Sequence, residues 1–333
     1  MMVEANETNI DAAVRDADLR VLVMCLFQIT GDRKWLAEPY LPQRDVRLIA
    51  PEDAGFSDEI AEQIWEAAIA EHGTTPVISD PGDELMVEMM SACLGELVTP
   101  EYAPMMREKM GFVSRDINWP EGAARPSVLV VGAGASGIIM GARLDRMGLD
   151  YDIVERGASV GGVWRDNRYP GAGVDTPNHA YSFSFARPHR WSRFFSPQAD
   201  LETYLQQTAD DCDVTRHVQF ETGLTGAQWD DDAQEWRVEL ETLNGSESRS
   251  YQVLISAIGQ LNVPKPPPVP GTDRFEGPCF HSSHWPDGLD LTGKRVAVIG
   301  TGASSMQIVP AIADQVAELT VYQRTAQWAR PIP

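Results

Sequence analysis

The sequence predicts an α/β protein in which two strand–glycine turn–helix units follow an all-α N-terminal segment. Three observations predict it. Residues 1–110 carry apolar side chains at helical spacing. A buried-strand pattern at residues 127–131 runs directly into Gly132-Ala133-Gly134-Ala135-Ser136-Gly137. A similar pattern recurs at residues 295–299, followed by Gly300-Thr301-Gly302-Ala303-Ser304-Ser305.

The N-terminal segment is the most acidic part. The 333 residues carry a formal charge of −22, of which residues 1–124 hold −15 and the rest −7. That balance opposes nucleic acid and anionic membrane as partners, since both are polyanions. Ile60, Ile64, Ala68 and Ile69 mark one helix within residues 58–73. Leu85, Met86, Met89, Met90, Cys93, Leu94 and Leu97 mark a second stripe, and nine of the twelve methionines lie in residues 1–110. Such a stripe reads as the core of a small helical domain, or as an adaptable docking face. Residues 111–126 have no periodicity, carry Gly and Pro, and read as a linker.

The four cysteines are scattered without a CxxC pair, so neither zinc nor a disulfide framework is indicated and a reducing cytoplasm fits. No signal peptide is visible, and the apolar run at residues 21–27 is far short of the roughly 20 residues a membrane helix needs. With 43% hydrophobic residues, the chain can bury a core in two or three domains of about 100–200 residues.

The first glycine turn has the context a dinucleotide site needs. Gly132 allows the tight turn, Gly134 lets a pyrophosphate approach the backbone, and Gly137 lets helix and strand pack closely. Residues 138–147 continue as a helix, whose N-terminus attracts phosphate. The next strand, residues 151–154, ends in Glu155, 23 positions after Gly132. A carboxylate there can accept from a ribose hydroxyl. Gly161 and Gly162 allow close backbone contact with a bulky ligand, and Trp164 can cover a ring.

The second turn differs at two places. Its third glycine is Ser305, still small. The same count of 23 from Gly300 reaches Gln323, so the acid is missing and Arg324 follows. A carboxylate would repel a 2′-phosphate, whereas a guanidinium binds one with paired charge-assisted bonds. This turn should therefore prefer NADP over NAD. Two Rossmann-like folds, one nested in the other, suggest a flavin reduced by NADPH. The expected organisation is a helical domain at 1–110, a linker at 111–126, the FAD-binding domain at 127–262, a connector at 263–292 and the start of an NADP-binding domain at 293–333.

Within the connector stands Phe275-Glu-Gly277-Pro-Cys-Phe-His281-Ser-Ser-His284-Trp285-Pro286-Asp287. It resembles the FxGxxxHxxxW(P/D) signature of type I Baeyer–Villiger monooxygenases. The resemblance runs from about residue 127 to 333. It implies flavin contacts from Arg156, Val163, Asp175, Thr176, Tyr181 and Leu224, and NADPH contacts from Gln307, Arg324 and Thr325, beside the two glycine turns and Gly162-Val163-Trp164. It implies that Asp175 orients an arginine lying outside this chain, and that His281 couples domain motion rather than serving as an acid or base. A plainer reading of His281 is a buried histidine satisfied by backbone groups.

The implied activity consumes NADPH and O2 and inserts one oxygen atom into an aryl or alkyl ketone, giving an ester or lactone. The acidic helical extension resembles that of the 4-hydroxyacetophenone monooxygenase branch, which implies a homodimer through residues 1–110. The chain stops before the family's catalytic arginine. It is read as C-terminally truncated, and the 333 residues alone are expected to lack monooxygenase activity. An N- or S-oxygenating flavin monooxygenase and a non-catalytic, dimerising nucleotide-binding fragment remain open alternatives.

Overall fold

A computed structural model describes residues 7–43, 53–186, 189–265 and 269–329. The middle of the proline-rich connector and the last four residues lie outside the described set. The chain divides into two compact units, Met1–Arg115 and Asp116–Pro333.

In the first unit the described elements are helical: α1 (Glu7–Arg15), α2 (Leu19–Thr30), α3 (Asp58–Ala70), α4 (Gly82–Leu94), α5 (Ala103–Lys109) and short 3-10 turns. Asp18 caps α2 by accepting from the Arg20 N–H at 2.8 Å, and Ser57 caps α3 from the Ile60 N–H. The core gathers Leu19, Val23, Leu26 and Phe27 of α2 with Trp35, Ala61, Ile64 and Met89. The methionine stripe enters it only in part. Met86 and Met89 are buried, but Leu94 and Leu97 are exposed. Gly95 turns left-handed and ends α4, so residue 97 no longer continues the helical face. Arg107 on α5 forks to Asp80 at 2.7 Å and Asp83 at 2.5 Å, tying α5 to the start of α4.

The second unit opens with β1 (Val128–Val131), α6 (Ala135–Arg146) and β2 (Tyr151–Val154). It continues through α7 (Val163–Asp166), α8 (Gln198–Asp211), β3 (Val218–Gln219), β4 (Gly223–Asp230), β5 (Glu235–Thr242), β6 (Gly245–Tyr251) and β7 (Val253–Ser256). The parallel sheet has the order β3-β2-β1-β7. All four residues of β1 are buried, as expected of a strand covered on both faces. Val128 and Val130 pack with Ile138, Ala142, Tyr204 and Leu205 of α6 and α8. Leu129 and Val131, on the opposite face, pack with Val238, Leu240 and Tyr251 of the antiparallel sheet β4-β5-β6. The alternation along one strand thus joins helices and second sheet into one unit.

A further parallel pair, β8 (Arg295–Ile299) and β9 (Glu318–Tyr322), flanks α9 (Ala303–Ile312). Ile308 and Ile312 of α9 pack with Leu291, and Tyr169, Trp285 and Leu319 join them. Helix α6 begins at residue 135 rather than 138, because Ala135, Ser136 and Gly137 of the turn already form its first turn.

Candidate functional site

The two glycine turns are built alike. Gly132 has φ +105° and its N–H donates to the Val154 carbonyl at 2.8 Å. Gly300 has φ +109° and its N–H donates to the Tyr322 carbonyl at 2.9 Å. Each turn hands over to a helix whose N-cap is the middle glycine, Gly134 for α6 and Gly302 for α9, with no side chain capping it. Ala135 and Ala303 start the helices, so the first N–H groups of each lack a side-chain acceptor from the cap and present the positive end of the helix.

Around the first turn the space is tight. A Cβ on Gly137 would stand 1.9 Å from the Gly132 carbonyl oxygen, and one on Gly132 would stand 2.6 Å from the Ala257 oxygen. Gly134 faces Gly162, whose φ is +55°. A Cβ on Gly162 would come within 2.9 Å of the Gly134 Cα, so this close approach of the two backbones requires glycine at position 162, whereas a Cβ on Gly134 would make an ordinary contact at 3.5 Å. Ala133 is buried beneath the turn and Ser136 is exposed on α6.

Glu155 is brought to this turn. Its side chain is 6% exposed. Oε2 accepts from the Ala133 N–H at 2.8 Å, while Oε1 accepts from the Gly157 N–H at 2.8 Å and from Arg165 Nη1 at 2.9 Å. The carboxylate therefore fixes the turn as well as offering itself to a ligand, a structural role the sequence does not announce. Arg165 is a residue that sequence reasoning missed. Burial alone would lower its pKa, but the hydrogen bonds and charges of Asp166 and Glu155 outweigh that and hold the guanidinium above its ordinary value.

Trp164 and Tyr181 meet: Trp164 Nε1 donates to the Tyr181 hydroxyl at 3.0 Å, with the rings edge to face at 5.9 Å. The aromatic loop that carries Tyr181 is pinned by Asn178, fully buried, whose Nδ2 donates to the Arg193 carbonyl and Ser196 Oγ, both at 2.6 Å. Asp175 is exposed and Thr176 half-buried beside the Gly173–Pro197 bridge. Arg156 donates to the Asn262 carbonyl at 3.3 Å, beyond the end of β7. Val163 opens α7 next to Gly162. Leu224 lies on β4 opposite Leu240, partly buried in the inter-sheet core, so its side chain serves packing and only its backbone is left for a ligand.

At the second turn Ser305 is buried and its Oγ donates to the Gly300 carbonyl at 2.8 Å. Thr301 Oγ1 donates to the Thr325 carbonyl at 3.0 Å, closing the turn onto the segment after β9. Ser304 is half-buried, and Gln323 and Arg324 are exposed at the end of β9. Gln307 is engaged by the protein itself. Its Oε1 accepts from the Tyr169 hydroxyl at 2.9 Å and its Nε2 donates to the Gly173 carbonyl at 2.8 Å, linking α9 to the loop that also carries Asp175. His281 is exposed rather than buried: its Nδ1 accepts from the Ser283 N–H at 3.2 Å and lies 2.9 Å from Ser283 Oγ, capping a short 3-10 turn. Trp285 packs edge to face on Phe280 at 5.3 Å and joins the α9 cluster.

Among the described residues, no group of acidic, cysteine or histidine side chains could hold a metal, and no helix is long and apolar enough to cross a membrane. Residues 125–330 match the model of the family described as FMO-like, flavin-binding monooxygenase-like. The chain belongs to this family. This flavin-binding monooxygenase-like chain is 38% identical to the uncharacterized monooxygenase y4iD of Sinorhizobium fredii, over 96% of its own length and 49% of that protein. It is 45% identical to a Baeyer–Villiger monooxygenase of Streptomyces coelicolor, over 61% of its length and 39% of that protein. Among solved structures it resembles ε-caprolactone-bound cyclohexanone monooxygenase, at 36% identity, TM-score 0.59 and 62% of this chain against 41% of that one. It equally resembles OTEMO in complex with FAD and NADP, at 38% identity, TM-score 0.59 and the same coverage. The family member described here spans about half or less of the length of the curated relatives it matches.

Proposed function

We propose that this chain supplies the FAD site and the NADPH phosphate site of a type I Baeyer–Villiger monooxygenase, with one nucleotide fold nested in the other. The observation that carries the reading is the pair of matching turns with opposite endings: a buried carboxylate closes the first and an exposed Arg324 follows the second. The residues fit both groups. The close approach of Gly162 to Gly134 leaves no room for a Cβ at position 162, and each turn ends at a helix N-terminus without a side-chain cap.

In this reading the backbone N–H groups at the start of α6 take the FAD pyrophosphate and Glu155 takes the adenosine ribose. The edge-to-face pair of Trp164 and Tyr181 borders the isoalloxazine. The start of α9 takes the NADPH pyrophosphate and Arg324 its 2′-phosphate. Asp175, an exposed carboxylate, holds an arginine charged and oriented, since a nearby opposite charge favours the ionised form. His281 and Trp285 order the connector between the folds, the first by capping and the second by packing.

When bound, the two groups supply hydride transfer and oxygen activation. A protein of the relatives' full length would use them to turn a ketone, O2 and NADPH into an ester or lactone, water and NADP+, with one oxygen atom entering the product and the other reduced to water by the NADPH hydride. We assign it to the 4-hydroxyacetophenone-type branch, dimeric through residues 1–110 and cytoplasmic, on the acidic helical character of that segment.

Two measurements test this. The purified chain should bind FAD near one equivalent and bind NADPH more tightly than NADH. The longer protein should give an ester from an aryl ketone; N-oxide or sulfoxide products alone would replace the reading with an N- or S-oxygenating one.

A further inference from the structure

We propose that Arg165 is a positioning residue for the ribose end of FAD, fixing the Glu155 carboxylate so that one lone pair is left for a single ribose hydroxyl. The inference rests on the reading of the first turn as the FAD site. A carboxylate offers about four lone-pair sites. The Ala133 N–H, the Gly157 N–H and Arg165 Nη1 take three of them, two on Oε1 and one on Oε2. The remaining site is on Oε2, the oxygen that faces the glycine turn through Ala133.

The guanidinium is held as firmly as the carboxylate. Its side chain is 10% exposed. Nη1 also donates to the Ser159 carbonyl at 2.6 Å, and Nε and Nη2 donate to the two oxygens of Asp166 at 2.7 and 3.1 Å. Four of the five guanidinium donors and three of the four carboxylate lone pairs thus have partners, and a buried ion pair keeps one geometry when it is tied down in this way. The seat exists because residue 157 lacks a side chain: a Cβ there would lie 2.1 Å from Arg165 Nη1.

The tie reaches further. With its amide oriented to satisfy both neighbours, Asn262 donates to Asp166 Oδ2 at 3.2 Å and accepts from Arg156 Nη2 at 3.2 Å. Arg165 thus links the first glycine turn to the segment leaving β7. Gln323 and Arg324 stand where the second fold would need an acid to build the same arrangement.

The test titrates flavin-stripped protein with FAD and with two analogues whose adenosine ribose lacks the 2′- or the 3′-hydroxyl. The unaltered chain should bind one analogue, and only one, about 10–100-fold more weakly than FAD, as expected for a charge-assisted bond to one hydroxyl. Arg165→Met should weaken FAD by roughly tenfold and bring FAD and both analogues to about the same affinity, since the carboxylate is no longer fixed. Arg165→Lys, which keeps a charge within reach of Glu155, should recover part of the discrimination. Should Arg165→Met fail to fold, Gly157→Ala displaces the guanidinium without removing it and should erase the same discrimination. Discrimination retained in full by the altered chains overturns the proposal, even where overall FAD affinity drops, because that is what a merely structural residue does. An unaltered chain that binds FAD but discriminates against neither analogue refutes the ribose role of Glu155 instead, and one that binds no FAD refutes the site.

Discussion

The two glycine turns share a backbone and differ in what surrounds them. Both place the first glycine at φ near +105° to +109° and both receive it on the carbonyl of the following strand. At the first turn β7 runs alongside β1, so Ala257 presses on Gly132, and Gly137 lies against the Gly132 carbonyl. At the second, nothing lies within 4 Å of where a Cβ on Gly300 or Gly302 would be, and the third position accepts Ser305. Glycine at position 132 is therefore demanded twice, by conformation and by neighbours. At position 300 it is demanded by conformation alone, among the described residues. The same fingerprint can thus carry unequal physical weight in one chain.

The largest expected effect comes from testing that inequality directly. Gly132→Ala meets both a left-handed φ and a backbone oxygen 2.6 Å away, and Gly137→Ala must push α6 off β1. Each should cost about 3 kcal/mol or more and remove bound flavin. Gly300→Ala meets only the conformational strain, about 1–2 kcal/mol. Thermal unfolding and flavin content of the three variants decide the matter. Equal losses at Gly132 and Gly300 would break the comparison.

The sequence makes the turns legible because their constraints are local: a strand, three small residues and a helix lie within about twenty positions. Glu155 is legible as an acid at a countable distance. Its burial and its bonds to Ala133, Gly157 and Arg165 are not, because they depend on how residues 155–166 fold back, and no periodicity encodes that path. Gln307 shows a different blind spot. Its position four residues into α9 suggests a ligand, but its partners Tyr169 and Gly173 are more than 130 residues away in sequence. His281 reads in sequence as a buried or a coupling residue, and the exposed cap it forms with Ser283 follows from a 3-10 turn too short to leave a pattern. The end of the methionine stripe was readable in principle, since Gly95 is a helix stop signal.

The next effect in size sharpens the comparison at the ends of the second strands. Arg324 is exposed, so the bond to a 2′-phosphate proposed for it would be charge-assisted yet screened by solvent and salt. Arg324→Gln should weaken NADPH binding by about tenfold and leave NADH unchanged, with the difference shrinking as ionic strength rises. Titration of each nucleotide at low and high salt checks it. An equal loss for both nucleotides would place Arg324 outside the 2′-phosphate site.

The smallest effect is that of Ser305→Ala, at the third position of the second turn, and with its reciprocal exchange it asks whether the serine is a substitute for glycine or a gain. Ser305 Oγ donates to the Gly300 carbonyl, so the side chain that the first turn could not admit becomes a bond that steadies the second. Ser305→Ala removes the bond but keeps the Cβ, and should cost about 1 kcal/mol. Ser305→Gly loses the bond and adds the backbone freedom of a helical glycine, for about 1.5–2 kcal/mol. The reciprocal exchange, Gly137→Ser, cannot recover such a bond, because its Cβ would already lie 1.9 Å from the carbonyl it needs. It should be as damaging as Gly137→Ala. Denaturant unfolding of the four variants separates the cases: if Gly137→Ser were milder than Gly137→Ala, helix α6 would be free to move to where α9 sits relative to β8, and the first turn's tightness would be a matter of choice of side chain rather than of packing.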